Sequence, residues 1–145
     1  MKINFVRTNN LAKVPTHGSE YAAGYDLYAA TSYDVTIEPH KTVKFDTGLR
    51  IELPTGTFGA IYARSGLSTK QGLRPANACG IIDSDFRGNI IVALHNDTND
   101  NQLVPVGSRI AQLIVTPYIT ADFVEVDELS DTERGEGGFG STGIK

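Results

Sequence analysis

Two aspartates stand two residues apart in Asn77-Ala-Cys-Gly-Ile-Ile-Asp-Ser-Asp-Phe-Arg-Gly-Asn89, so in an extended chain Asp83 and Asp85 share one face. A carboxylate there is able to act as a general base or to help hold a metal. The same Asp, Ser and Gly usage also builds an ordinary hairpin turn, and the residues alone leave both readings open. In Ala63-Arg-Ser-Gly-Leu67 a strand ends at Arg64 and a short helix can start near Ser65. That join aims backbone N–H groups and a hydroxyl at an anion, and Arg64 adds a fork for phosphate oxygens. A plain helix cap beside a surface Arg is the alternative. Near the end comes Gly138-Phe-Gly-Ser-Thr-Gly143. Glycines let successive N–H groups form an anion-binding concavity, and Ser141 and Thr142 add hydroxyl donors. A phosphate loop needs Lys directly after its second Gly and then a helix. Ile144 follows Gly143 here, which excludes a nucleoside triphosphatase of that fold but not a triphosphate-binding flap.

The elements that must position these groups are short strands. Apolar runs separated by turn residues recur at intervals of roughly 8–12 residues, as in all-β domains. Strands are expected at Ile3–Val6, Tyr33–Ile37, Thr42–Asp46, Leu49–Leu53, Thr57–Arg64, Gly88–Asn96, Ser108–Thr116 and Ala121–Val126. One helix of a turn or two is expected over Ser65–Gln71, with Ser65 as N-cap. Such a set suggests a sandwich or barrel with jelly-roll-like crossings. In Ile90–Leu94 and Ile110–Val115 both faces are largely apolar, which a strand with one wet face would not show. A chain of 145 residues has little left to cover an outer face, so a homo-oligomer is expected.

Composition narrows the function. Hydrophobic residues are 40% and charged residues 21%, as in a soluble globular domain. A net charge of −4 argues against a duplex nucleic-acid binder but allows a small anionic ligand gathered by a few Arg residues. The single Cys79 rules out an intramolecular disulfide and points to the cytoplasm, with the thiol expected inert and buried. His17, His40 and His95 show no metal-ligand spacing. The N-terminus lacks a signal-peptide stretch, and Ile90–Leu94 is far too short to span a bilayer. After Val126 the chain turns acidic, and residues 134–145 hold five of the 15 glycines.

Taken together, the segments resemble the trimeric dUTPase family. Ala23-Gly-Tyr-Asp-Leu-Tyr-Ala-Ala30 looks like the first of its five ordered motifs, and Ala63–Leu67 like the second. Gly80–Gly88 looks like the third, Gly107-Ser-Arg-Ile-Ala-Gln112 like the fourth, and Arg134–Gly143 like the fifth. The resemblance implies an all-β jelly-roll trimer with one short helix, a core over residues 1–126, and a flexible arm over 127–145 that closes on a neighbouring active site. It implies Mg²⁺-dependent hydrolysis of dUTP to dUMP and pyrophosphate, which keeps uracil out of DNA and supplies dUMP for dTMP synthesis. By the same resemblance Asp83 is the general base, and Asp26 holds a metal-bound water. Arg64, Ser65, Gly66 and Gln112 contact phosphates. Asn77, Gly80 and Ile82 form a hairpin that reads uracil. Arg134, Ser141 and Thr142 clamp the terminal phosphate, Phe139 stacks on the base, and Gly140 is a further substrate contact. Phe86 stands where the family usually has Tyr; the ring would still lie under deoxyribose and exclude a 2′-hydroxyl. Ala63 stands where Pro is common. A dCTP deaminase, which shares the fold, would need a Glu on the strand after the third motif, and Asn89–Asn96 has none. A regulatory protein partner is expected only if the chain is phage-encoded, when its compartment would be the host cytoplasm.

Overall fold

The computed structural model describes residues 1–138. Among them the chain forms β1 (Asn4–Arg7), β2 (Thr16–His17), β3 (Tyr25–Tyr28), β4 (Val35–Ile37), β5 (Thr42–Asp46), β6 (Leu49–Glu52) and β7 (Thr57–Tyr62). Helix α1 (Ser65–Gln71) follows, then β8 (Leu73–Pro75), β9 (Gly80–Ile82), β10 (Ile91–Asn96), β11 (Gln102–Val104) and β12 (Arg109–Pro117). The main sheet has the order β2-β3-β12-β7-β9, and a second has the order β5-β10-β8. Two ribbons, β1-β6 and β11-β4, complete the set among the described residues. No helix among those residues is long and apolar enough to cross a membrane.

Strand β12 is the spine of the main sheet. It pairs antiparallel with β3 on one side and β7 on the other, and Gln112 lies opposite both Asp26 and Tyr62. Directly opposed residues project to the same face, and successive residues alternate between faces. The neighbouring positions Leu27, Ile61, Ala111 and Leu113 are therefore on the other face, and all are buried in the core. Gly59 on β7 belongs to that face; a Cβ there would fall 2.8 Å from Leu113 Cδ1. The core continues into the second sheet through Phe45, Leu73, Val92 and Leu94. Each such side chain contributes about 1.5–3 kcal/mol of burial.

Most expected strands form, with ends shifted by a few residues. The expected strand at Ala121–Val126 does not; regular structure ends at Pro117, and residues 118–136 are exposed throughout. A strand exists only as one side of a ladder, and nothing in the described chain lies alongside this segment to complete one. The helix spans the expected residues, but its N-cap is Arg64, with φ −86° and ψ 129° and no side-chain cap; Ser65 is already helical. The Arg64 carbonyl accepts the Leu67 and Ser68 amides instead. Gly72 closes the helix at φ 62°, a left-handed position that suits glycine. Strand β8 pairs with β10 and β9 pairs with β7, so residues 76–79 cross from one sheet to the other. The apolar outer face of β10 is covered only in part within one chain: Val92, Leu94 and Asn96 point inward, Ala93 and His95 are half-buried, and Ile91 is exposed.

Asn96 is fully buried and holds the end of β10 in place. Its Nδ2 donates to the carbonyls of Ile37 and Asp100, and its Oδ1 accepts from the amide and hydroxyl of Thr98. Asn96→Ala strands these groups and should cost at least about 2 kcal/mol, because each buried unpaired polar group costs roughly 1–3. Urea unfolding measures this, and a loss below about 0.5 kcal/mol would show that water replaces the side chain.

Candidate active site

Three separate segments converge on one cleft of about 180 Å³, lined among others by Gly24, Asp26, Arg64, Ser65, Gly66 and Gln112. Asp26 comes from β3, Gln112 from β12, and the Arg64 turn from the end of β7. Asp26 is 7% exposed. Arg64 Nε donates to its Oδ1 at 2.7 Å, and Arg109 donates to its Oδ2 at 3.1 Å. The Arg64 guanidinium also donates to the Arg109 carbonyl at 3.4 Å. Gln112 Nε2 donates to the Ala63 carbonyl at 2.8 Å, which fixes the backbone just before Arg64. Gly24 makes room for this: a Cβ there would lie 3.2 Å from Gln112 Cβ and Cδ and would collide with its carboxamide oxygen.

The balance of charge favours an anion. One buried carboxylate faces two guanidiniums, which leaves a net positive charge and several unspent N–H donors. The first amides of a helix have no intrahelical acceptor, and Ser65 and Gly66 carry them at the cleft wall. No group of three or more His, Cys, Asp or Glu residues suited to a cation exists among the described residues. Each Asp26 oxygen holds a guanidinium but keeps a further lone-pair direction free. That donor set fits an outer-sphere contact to a hydrated cation carried in on a polyphosphate, rather than a cage made by protein alone.

Asp83 lies elsewhere. It is exposed just past β9, beside Phe58, Ile81 and Tyr118, at a second cleft of about 220 Å³. In the β7–β9 register Gly80 opposes Ile61 and Ile82 opposes Gly59, so Asp83 sits level with Phe58. Arg64 is six residues further along the same strand direction, or roughly 20 Å at 3.3 Å per residue. One chain therefore does not bring its own Asp83 to its own Asp26–Arg64 cleft. Asn77 is exposed, Gly80 is buried against Ile61, and Ile82 is half-buried. Cys79 is only partly buried, not the sealed thiol expected; its interaction with Tyr62 pushes the phenol above its usual pKa, with burial adding to the effect. Arg134 is exposed and donates to the Gly137 carbonyl at 2.8 Å. Phe139, Gly140, Ser141 and Thr142 lie outside the described residues.

The dUTPase family model matches residues 10–143. The chain belongs to the dUTPase family. It is 47% identical over 145 residues to the deoxyuridine 5'-triphosphate nucleotidohydrolase of Desulfitobacterium hafniense, covering 99% of this chain and 96% of that one. It is 46% identical over 143 residues to the human mitochondrial counterpart, covering 99% of this chain and 55% of that protein. A mutant Staphylococcus bacteriophage 80alpha dUTPase with dUpNHpp superposes with a TM-score of 0.89 at 27% identity, covering 99% of each chain. Within this dUTPase framework, Asp26, Arg64, Ser65, Gly66 and Gln112 line one cleft. Arg109, which stands in the fourth motif three residues before Gln112, also reaches Asp26, and that contact depends on the β3–β12 register.

Asp26→Asn removes the charge that both guanidiniums face. Hydrogen bonds to charged groups contribute about 1.5–3 kcal/mol, and the freed guanidiniums reach solvent, so a loss in that range is expected. Urea unfolding reads it, and an unchanged midpoint at unchanged slope would deny Asp26 its structural part.

Proposed function

We propose that the protein hydrolyses dUTP to dUMP and pyrophosphate, and the convergence of three motifs on one cationic cleft carries this reading. The triphosphate takes Arg64, Ser65, Gly66 and Gln112 as donors, with Asp26 holding Arg64 in place and meeting the hydration shell of a bound Mg²⁺. That ion, when bound, neutralises phosphate charge that would otherwise repel a nucleophile. Asp83 orients a water and takes its proton as the water oxygen bonds to the α-phosphorus. The bond from that phosphorus to the bridging oxygen breaks, and pyrophosphate leaves with the electron pair. Asn77, Gly80 and Ile82 read uracil largely through backbone groups, and Phe86 lies under the deoxyribose. Residues 127–145 act as an arm: Phe139 stacks on the base, Arg134, Ser141 and Thr142 clamp the terminal phosphate, and Gly140 adds a substrate contact. The cytoplasm, or a host's cytoplasm for a phage protein, is the compartment that suits this chemistry.

We further propose a homotrimer with shared sites, which the separation of Asp83 from Arg64 along β7 supports. The phosphate cleft of one copy faces the Asp83 segment of another. Ile91 and Ala93, on the half-covered outer face of β10, are apolar surface available to such an assembly.

Asp83→Asn should lower turnover by about 10²–10⁴-fold with dUTP affinity largely kept, as expected for loss of a general base. Pyrophosphate release measures it, and a variant keeping a tenth of the wild-type rate would remove Asp83 from that role. Arg64→Ala should be inactive for a different reason. Unfolded and refolded together in equal amounts, the two dead variants should regain about a quarter of wild-type activity, because random assortment in a closed trimer rebuilds that share of sites. Persistent inactivity of mixed trimers confirmed by mass would refute the shared site.

A further inference from the structure

We propose that Gly88 is a positioning residue for sugar selection: it lacks a side chain so that the Phe86 ring can occupy the space a Cβ would take. This rests on the reading of Phe86 as the plate beneath the deoxyribose. A Cβ built on Gly88 would fall 2.5 Å from Phe86 Cζ, 2.9 Å from Cε2 and 3.3 Å from Cε1. These atoms form the far edge of the ring, so the ring lies over the Gly88 backbone. The contact is the reason for glycine at this position. Unlike Gly72 or Gly48, Gly88 is not among the glycines with positive φ, so its backbone suits any residue.

The backbone that carries the ring is held independently. The Phe86 amide donates to the Asp83 carbonyl at 3.1 Å, closing a turn that joins the general base to the plate. Arg87 braces the same turn, donating to the carbonyls of Ser84 at 2.7 Å and Phe86 at 3.0 Å, and its other guanidinium nitrogen reaches Glu52 at 3.5 Å. With main chain fixed on both sides, the side-chain torsions alone set where the ring lies. A methyl at position 88 forces those torsions into another staggered well and carries the far edge of the ring away from the sugar. The ring is 40% exposed, so it has room to move without breaking the fold. Phe86 lacks the phenolic hydroxyl usual in the family and so has no polar tether of its own. Packing over Gly88 is what the structure offers in its place.

The test compares kcat/KM for dUTP and UTP in wild type, Gly88→Ala, Phe86→Ala and the double variant, with melting temperature measured in parallel. The expected result is a melting temperature close to wild type and a dUTP-over-UTP ratio lower by about tenfold in Gly88→Ala, the scale of a lost shape contact in a pocket. The Phe86→Ala variant and the double variant should share one ratio within about twofold, since Gly88 acts only through the ring. A wild-type ratio kept in Gly88→Ala overturns the inference while leaving the reading of Phe86 intact. A further drop in the double variant also overturns it, because it shows an effect that bypasses the ring. A ratio unchanged in Phe86→Ala defeats the reading of the plate itself, and the inference with it. Where Gly88→Ala fails to fold, the double variant should fold, and its failure beside a folded Phe86→Ala overturns the inference.

Discussion

A carboxylate taken out of water must find positive partners, and in this chain Asp26 finds two. That single requirement ties together β3, the turn after β7 and the start of β12. Arg64 spends only part of its donor set on Asp26, and it lines the cleft. The buried charge thus holds that guanidinium at the cleft wall. Gln112 repeats the device on a smaller scale, binding the Ala63 carbonyl with one amide hydrogen and keeping its second free.

The pairing works because β12 is flanked on both sides. Its register with β3 and β7 puts Asp26, Gln112 and Tyr62 in one row on one face and gives the other face to the core. A slip by a single residue would exchange the two faces, burying the polar row and exposing Leu113. Core packing and ligand geometry therefore protect the same alignment. The crossing segment between β8 and β9 is a counterpart. Its ends are fixed in different sheets, and a local turn between them is closed by the Ala78 amide on the Pro75 carbonyl at 3.1 Å, so the backbone around Asn77 and Gly80 is set by long-range pairing and a turn together.

The all-β class, the single helix and most of the longer strands were legible in the sequence, since runs such as Thr42–Asp46 and Thr57–Tyr62 carry enough apolar, β-branched and aromatic residues to register. The short strands β2, β8 and β11 were not, because two or three residues are too few for a period of two to show. The cleft residues were legible as motifs. Their placement was not: that Asp83 and Arg64 lie far apart follows from the β7–β9 register, and the contact of Arg109 with Asp26 from the β3–β12 register. The strand expected at Ala121–Val126 failed for a related reason. Its pattern suits a strand, but no partner for it lies within the described chain.

Strand β7 leads into the Arg64 turn at one end and lies level with Asp83 at the other. In the proposed assembly a nucleotide would touch two copies of the chain at once, and a ligand that bridges a subunit contact favours the associated state by its own binding free energy. Nucleotide then acts as glue as well as reactant. Exchange of subunits between trimers would slow as nucleotide rises, and a compound spanning both halves of the site would bind only to intact assemblies. Enzyme kept dilute and free of nucleotide would be the form most open to falling apart.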